Sequence, residues 1–467
     1  MQNNYDVIIV GGGTAGASLA YLLAKENVDV AVIDKKNREN IGYKICGDAI
    51  AAHHYKETSI PKPREEHILY RVRGLKIFPY DMHYYVTILS RDGGYIVDRA
   101  KYGEYLISEA EKRGAKIICN VKVTNPIIKN NFFIGVKGVD LKTNDEVNFY
   151  GKIIVDASGY PAVLVMKTPE SWGLEKKVDI TDKIVGYREI VRFNQPFNDY
   201  GYLWIHFTDK YAPGGYVWIF PHSRDGYYGN VGNGIQAGLG YPNPALLLSK
   251  YKSENDSTLF LFNNADVLEK GIWPIPNRRP RGKLVGNGFL AIGDAAIQID
   301  PATSEGIGYG MFAAYIASKH IIKSLEKGDY SMKGLWGYAH EYMTSKYGIN
   351  QAKFDVFRYL LQASRDNDKL FAIKHKILTE KELSKARDED IKVTSPEKLI
   401  KVLKGVIHGK LYVIKMLKYT LNKMRIAAKI YSEYPSSPDG YEKWKMREMI
   451  LFNEVKNVLK PYKIILE

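Results

Sequence analysis

The sequence predicts a mixed α/β and α+β fold: an α/β unit, an inserted and mostly antiparallel sheet, and a helical C-terminal region. Three observations predict it. An apolar run near the start of the chain leads straight into a glycine-rich turn. Two further apolar runs, "GKIIVDASG" and "GFLAIGDAA", recur far downstream, the pattern of one sheet interrupted by an insertion. Between them lies a region of alternating aromatic residues, and beyond the last of them the pattern turns helical and basic.

Taken in order, Tyr5 to Val10 is apolar and ends in Gly11-Gly12-Gly13-Thr14-Ala15-Gly16. A helical stretch, "ASLAYLLAKEN", and a second apolar run, "VDVAVID", close on Asp34. Strand, glycine turn, helix, strand and terminal acid form a Rossmann-like dinucleotide pattern. Gly11 allows the tight turn, Gly13 lets the backbone approach a pyrophosphate, and Gly16 lets helix and strand pack closely. The helix N-terminus faces the anion, and Asp34 accepts hydrogen bonds from a ribose. The stretch "GGYIVDRAKYGEYLISEAEKRGAKIICN" reads as turn, strand, helix from about Arg99, and strand. Buried strands follow at Gly151–Gly159 and from Gly288. From Asp179 to Gly271, alternating patterns such as "GYLWIHF" and "GYVWIFP" read as the inserted sheet, and helices dominate from about Tyr330. The predicted division is 1–60, 91–165 and 284–330 for the dinucleotide unit, 61–90 and 166–283 for the inserted sheet, and 331–467 for the helical region.

Of the 467 residues, 45% are hydrophobic and 25% charged, which excludes long disordered spans. No apolar run reaches the ~18 residues of a membrane span. The start has no basic flank and enters the glycine motif directly, so it reads as a strand and not as a signal peptide. Two cysteines, Cys46 and Cys119, exclude a disulfide framework and a four-cysteine metal or iron–sulfur site. No metal is expected, Cys119 reads as core, and a reducing cytoplasm fits. The net charge of +15 suits nucleic acid, an anionic membrane face or a phosphorylated substrate, and equally a Lys-rich thermophilic composition. No RNA-binding motif accompanies it, so nucleic acid is not expected as a partner. The basic residues concentrate in "SPEKLIKVLKGVIHGKLYVIKMLKYTLNKMRIAAKI", where Lys398, Lys401, Lys404, Lys410, Lys415, Lys418, Lys423, Arg425 and Lys429 face one acid, Glu397. Leu399, Val402, Leu403, Val406, Leu411, Ile414, Leu417 and Leu421 recur between them at helical spacing. That pattern suits a helix lying on an anionic bilayer, or a solvated basic face docked on the core.

With "GGGTAG", "IIVDASG" and "FLAIGDAAIQIDPATSEGIG" in this order, the chain resembles the FAD-dependent reductase and monooxygenase superfamily over roughly its first 330 residues. The resemblance implies FAD as cofactor and the fold typified by p-hydroxybenzoate hydroxylase. It assigns cofactor contacts to Gly11, Gly13, Ala15, Gly16 and Asp34, to Arg99 and Val121, and to Asp294 at the ribityl chain. Pro301, Gly306 and Ile307 match the superfamily's Pro–Gly-rich turn, and a helix beginning near Gly306 aims N–H groups at the cofactor. Within the superfamily, "YKICGDAI" and "YVWIFP" are similar to the geranylgeranyl reductases, particularly the archaeal enzymes that saturate isoprenoid chains of ether lipids. Their Cys-Gly pair corresponds to Cys46 and Gly47, and their aromatic motif to Tyr216, Trp218, Phe220 and Pro221. Their later Gly-x-Gly corresponds to Gly232 and Gly234, which lie further beyond Pro221 than is usual and imply an insertion in the turn.

The implied reaction reduces unactivated C=C bonds of geranylgeranyl chains, in ether lipids or in the free diphosphate. Hydride comes from reduced FAD to one carbon and a proton reaches the other. Cys46 and Gly47 are then catalytic-site residues beside the flavin, with Cys46 assisting protonation or steering the alkene; the plain alternative is a small buried hydrophobe. Tyr216 is expected to donate a hydrogen bond or relay a proton. Strand alternation puts Tyr216, Trp218 and Phe220 on one face, as substrate-binding walls of an isoprenoid tunnel, and Val217 and Ile219 on the other. The implied electron donor is NAD(P)H or ferredoxin, and a lipid substrate implies peripheral contact with the anionic inner face of the membrane. The runner-up is a flavin monooxygenase or halogenase. Against it, "VDASGYPAVLV" lacks the Asp-Gly and later Arg of hydroxylases, and "YVWIFP" departs from the Trp-x-Trp-x-Ile-Pro of halogenases. A third reading, of another class, is a membrane-surface or RNA-binding module built on the basic tail.

Overall fold

The computed structural model describes residues 4–380 and 395–460, and the predicted fold class is borne out. The first of two eight-stranded sheets runs, in spatial order, Val285–Gly286, Phe289–Ala291, Glu146–Asp156, Asn4–Val10, Val30–Ile33 and Lys116–Ile118. The last five of these are mutually parallel. A hairpin, Val121–Lys129 and Phe132–Asp140, adds antiparallel to Glu146–Asp156. Val7, Ile8, Ile9 and Val10 are all buried, as a central parallel strand covered on both faces requires. The helices Thr14–Lys25, Arg99–Glu111 and Ile307–Lys327 pack on this sheet. Asp98 caps the second of them, its carboxylate accepting from the backbone of Ala100 and Lys101, both at 3.1 Å.

The second sheet is ordered Asp266–Pro276, Lys183–Arg192, Tyr228–Gln236, Tyr216–Pro221, Tyr202–His206, Ile68–Phe78, Val86–Val97 and Ala49–Ala51. It is antiparallel except where Tyr202–His206 runs parallel to Ile68–Phe78. The predicted boundary at residue 90 falls inside the strand Val86–Val97, and Ala49–Ala51, predicted with the first unit, pairs with that strand. Gly94 permits the pairing, because a Cβ there would stand 2.7 Å from the Ile50 carbonyl oxygen.

The strand predicted over Gly151–Gly159 instead begins at Glu146 and stops at Asp156. The stop has a local cause. The fully buried Asp156 carboxylate accepts from the backbone of Ser158 (3.0 Å), Leu164 (2.8 Å) and Val165 (2.9 Å), which folds the chain back at once. Cys119 lies one residue past the strand Lys116–Ile118, half-buried against the core, and burial pushes its thiol pKa up.

The C-terminal region is helical: Met332–Thr344, Lys346–Ala363, Asp366–Lys374, Ser395–Ile407, Leu411–Ser432 and Tyr441–Val458. Much of the predicted basic row is paired. Lys401 and Lys404 donate to the Ile377 and His375 carbonyls, both at 2.9 Å, Lys410 pairs with Asp368 at 2.7 Å, and Lys423 with Glu454 at 2.6 Å. The side chains of Glu397, Lys398 and Leu399 lie outside the described residues, as do 381–394 and 461–467 of the predicted third unit. Among the described residues no helix is long and apolar enough to cross a membrane.

A buried ion network fastens these helices to both sheets. Arg279 pairs with Glu448 and, at 3.0 Å, with Asp355. Arg358 spans Asp355 and Asp182, at 2.7 and 2.9 Å. Arg278 reaches Glu175 at 2.9 Å. Burial alone raises the Glu448 carboxyl, but Arg279, with Lys445 and Arg278, more than reverses this and holds it at about 2. Replacing Glu448 by Gln leaves Arg279 to share the single charge of Asp355 with Arg358, an under-compensated buried arrangement, so unfolding stability should fall, by up to about 3–5 kcal/mol. Because the folded-state pKa is depressed, the wild-type advantage is complete above the unfolded value and lost as pH falls towards about 2. Urea unfolding at about pH 7 and about pH 3 should show the gap between Glu448→Gln and wild type narrowing.

Candidate active site

The glycine turn is built as its spacing requires. Gly11 has φ +105°, and a Cβ on it would stand 2.4 Å from the Ala157 carbonyl oxygen; a Cβ on Gly16 would stand 1.9 Å from that of Gly11. Gly13 differs: nothing lies within 4 Å of its Cβ position, and it starts the helix Thr14–Lys25 without a side-chain cap. The helix therefore presents its N-terminal N–H groups to open space. Ala15 packs against Gly293 and Gly310, whose Cβ positions lie 3.0 and 3.2 Å from its methyl group.

Asp34 ends the second strand, and its carboxylate already accepts from the backbone of Gly12 (2.7 Å) and Lys36 (2.8 Å). These bonds fix the carboxylate beside the turn. The Val121 amide donates to the Asp34 carbonyl at 3.0 Å. Arg99 is 7% exposed and so is no surface residue; its guanidinium donates to Thr14 Oγ1 at 2.9 Å and points Nη1 at Cys46 Sγ, 3.8 Å away. Asp294 pairs with Lys44. Gly306 stands at the N-terminus of Ile307–Lys327, again without a side-chain cap, although the Glu305 carboxylate takes the Gly308 amide at 2.6 Å.

One cavity of about 1270 Å³ joins these groups. Gly11, Gly13, Ala15, Asp34, Arg99 and Val121 line it, with Asp294, Gly306 and Ile307. Gly16 and Pro301 are not in its wall: Gly16 packs behind the turn, and the Pro301 carbonyl accepts from Asn277 at 2.9 Å. The cavity continues past Cys46 and Gly47, under Tyr216, Trp218 and Phe220, and ends against Leu361, Val413 and Leu417 in the C-terminal helices.

Alternation along Tyr216–Pro221 puts the three rings on the cavity side, while Val217 and Ile219 pack with Leu248 and Tyr251 in a separate core. Neighbouring rings lie 6.3 and 6.5 Å apart between centroids. Two glycines make room for them. A Cβ on Gly47 would stand 2.9 Å from Phe220 Cε2, and one on Gly232 would stand 2.2 Å from Trp218 Cζ2. Pro221 is buried outside the wall, and Gly234 faces Ile184. The Tyr216 hydroxyl, expected to donate a hydrogen bond or relay a proton, donates to the Thr303 carbonyl. Burial first, and Asp300 second, raise its pKa far above the usual range, so Tyr216 holds on to its proton.

The sequence reading missed Asp48 and Arg188 in this wall, and Asn230 and His222 behind it. Asp48, directly after the Cys-Gly pair, is 3% exposed and adopts φ +60°. Asn230, opposite Phe220 in the sheet, donates to the Cys46 carbonyl and to Asp48 Oδ2, both at 2.8 Å. His222 Nε2 lies 3.5 Å from the same Asp48 oxygen. Arg188, also buried in the wall, binds Glu269 at 2.7 Å. Only Asp48 had a signal, its place beside Cys46-Gly47; the others arrive by strand pairing. The donor set fits a flavin dinucleotide: the uncapped N-terminus of Thr14–Lys25 and the open Gly13 for the pyrophosphate, Asp34 for a ribose, Arg99, Asp294 and the start of Ile307–Lys327 along the rest.

Residues 182–270 match the family "Geranylgeranyl reductase catalytic domain", and residues 6–43 match "FAD dependent oxidoreductase". The digeranylgeranylglycerophospholipid reductase of Sulfolobus acidocaldarius is 32% identical over 98% of this chain and 98% of its own. Digeranylgeranylglycerophospholipid reductase 2 of Methanococcoides burtonii is 31% identical over 72% of this chain and 80% of its own. Among solved structures, a geranylgeranyl bacteriochlorophyll reductase-like protein from Thermoplasma acidophilum superposes with a TM-score of 0.73 at 21% identity, covering 90% of this chain and all of that one. A flavin-dependent brominase superposes at 0.64 with 19% identity, covering 90% of this chain and 99% of its own. These two likenesses establish the fold alone.

Gly13→Ala tests the cradle. Its φ of −64° suits any residue and its Cβ meets nothing, so the unfolding temperature of the FAD-free protein should hardly move. The methyl group stands where a pyrophosphate must approach, so FAD affinity, read by fluorescence titration, should fall by roughly tenfold or more.

Proposed function

The chain belongs to the digeranylgeranylglycerophospholipid reductase family and is an FAD-dependent oxidoreductase acting on C=C bonds; from this premise we propose how its cavity saturates the geranylgeranyl chains of an archaeal-type glycerophospholipid. One observation carries the reading. A single cavity leads from the glycine-turn site, past Cys46 and Gly47 and under three aromatic rings, into an apolar end among the C-terminal helices.

FAD, when bound and reduced, supplies the hydride. The chain's own residues do the rest. The Gly13 turn, the helix N-termini at Thr14 and Ile307, Arg99 and Asp294 bind the cofactor. Tyr216, Trp218 and Phe220 press the isoprenoid chain into register and exclude water, which leaves an unactivated alkene no partner but the reacting groups. Each ring buries a large apolar area, on the order of 150–250 Å², matched to a hydrocarbon ligand. Cys46 holds the proton at Sγ. The Asp48 amide at 3.4 Å and Arg99 Nη1 at 3.8 Å both point at that sulfur and stabilise the thiolate left when the proton departs.

The substrate reaches the cavity from a membrane surface. Val402, Leu403, Val406 and Ile407 are exposed on the helix Ser395–Ile407, with Ile407 at 74%, next to the Val413 and Leu417 end of the cavity. This apolar strip within the basic tail suits shallow insertion into an anionic bilayer. Electrons enter from NAD(P)H or a reduced ferredoxin.

The test uses FAD-loaded protein reduced stoichiometrically without oxygen and mixed with geranylgeranyl glycerophospholipid in anionic vesicles. The oxidised flavin spectrum should return, while a saturated lipid leaves it bleached. Reoxidation should be slower from neutral vesicles and should slow with added salt. Flavin that stays reduced until oxygen is admitted would overturn the reductase reading in favour of an oxygenase or halogenase. Equal rates from both vesicle types would overturn the membrane contact. Bleaching by NADH, NADPH and reduced ferredoxin in the same apparatus decides the donor.

A further inference from the structure

Each C=C bond reduced takes one proton as well as one hydride, and a polyprenyl chain with several such bonds takes several protons through one dry wall. Resting on the reductase reading, we propose that Asp48 and His222 form the relay that returns a proton to Cys46 after each reduction.

The geometry runs from solvent to the cavity. The His222 side chain is 19% exposed, and its Nε2 lies 3.5 Å from Asp48 Oδ2. Asp48 lines the cavity wall, is 3% exposed, and its backbone N–H points at Cys46 Sγ from 3.4 Å. Asn230 clamps the loop, one amide donating both to Asp48 Oδ2 and to the Cys46 carbonyl at 2.8 Å. Asp48 Oδ1 is enclosed and receives no hydrogen bond. An enclosed carboxylate oxygen that nothing donates to is a costly arrangement for a purely structural residue. It suits an oxygen that carries a proton in transit. Asp48 also holds a left-handed backbone conformation, φ +60°. The remaining charged group at the sulfur is Arg99, and the charge of Asp48 is also felt by the Tyr43 hydroxyl across the loop.

The steps balance. As hydride reaches one alkene carbon, the π pair forms a C–H bond at the other with the Cys46 proton, and sulfur keeps the S–H pair as thiolate. Imidazolium His222 then gives its Nε2 proton to the Asp48 carboxylate, the carboxyl O–H so formed breaks as S–H re-forms on Cys46, and His222 takes another proton from water. No protein group is oxidised or reduced; both electrons added to the substrate come from the hydride.

The relay predicts a burst. FAD-loaded protein is kept reduced by excess dithionite without oxygen and given a geranylgeranyl glycerophospholipid, and bonds saturated per enzyme are counted against time. Wild type should proceed steadily. Asp48→Asn and His222→Gln should bind FAD as wild type does and reduce the first bond at the wild-type rate, using the proton already on Cys46. They should then slow by roughly a hundredfold, the scale of a lost acid–base group. Imidazole in the buffer should restore the slow phase of His222→Gln. Steady wild-type rates in both variants, or first and later bonds slowed alike, would overturn the relay, because a merely structural loss does not spare the first turnover. Wild-type protein that leaves the lipid untouched would instead overturn the reductase reading itself.

Discussion

Two glycines set how closely the two sheets can share a site. The Phe220 ring rests where Gly47 would carry a side chain, and the Trp218 indole where Gly232 would. A Cβ on Gly47 would push the Phe220 ring away from the Cys46 loop, and one on Gly232, beside Trp218 in the same sheet, would push the indole out of its place. With both absent, the loop that follows the glycine-turn unit lies directly against the face of the inserted sheet, and the wall of the cavity comes from both. The flavin site and the apolar tunnel are therefore one space. The opposite face of the same strand, Val217 and Ile219, is spent on an ordinary core with Leu248 and Tyr251, which holds the three rings in place from behind.

The far end of that space depends on the C-terminal helices, and electrostatics fixes them. Burial penalises the charges of Arg278, Arg279, Arg358, Asp182 and Glu448, and pairing outweighs the penalty for Asp182 and Glu448, whose carboxyls are held low. Such a network adds little net stability over an apolar contact of equal shape, but losing one partner is expensive. It acts as a register device. The pairs hold the segment after Asp266–Pro276, the helix Lys346–Ala363 and the helix Tyr441–Val458 in one register, and Leu361 of the second then lines the tunnel.

Local features were legible in the sequence; those made by distant pairing were not. Gly11, Gly13 and Asp34 answer to steric rules that act within a few residues, and the period-two run at Tyr216, Trp218 and Phe220 states its own face. The helices Arg99–Glu111 and Ile307–Lys327 start where the pattern after "YIVD" and the matched Pro–Gly-rich turn put them. By contrast, Ala49–Ala51 joins the inserted sheet because Gly94, far along the chain, leaves space for it. Asp156 ends its strand early by binding amides up to nine residues on. The triangle of Asp48, Asn230 and His222 exists only once the strands Tyr216–Pro221 and Tyr228–Gln236 have brought its members together. The acceptor of the Tyr216 hydroxyl, the Thr303 carbonyl, likewise comes from far along the chain.

The central claim is that one dry cavity adds hydrogen to isoprenoid double bonds and nothing else. Mass spectrometry of a geranylgeranylated glycerophospholipid, after exhaustive incubation with the reduced protein without oxygen, tests it most directly. The account predicts mass gains in steps of two hydrogen atoms until the chains are saturated. A lipid of unchanged mass, or one that gains oxygen or halogen only once air and halide are supplied, would contradict it.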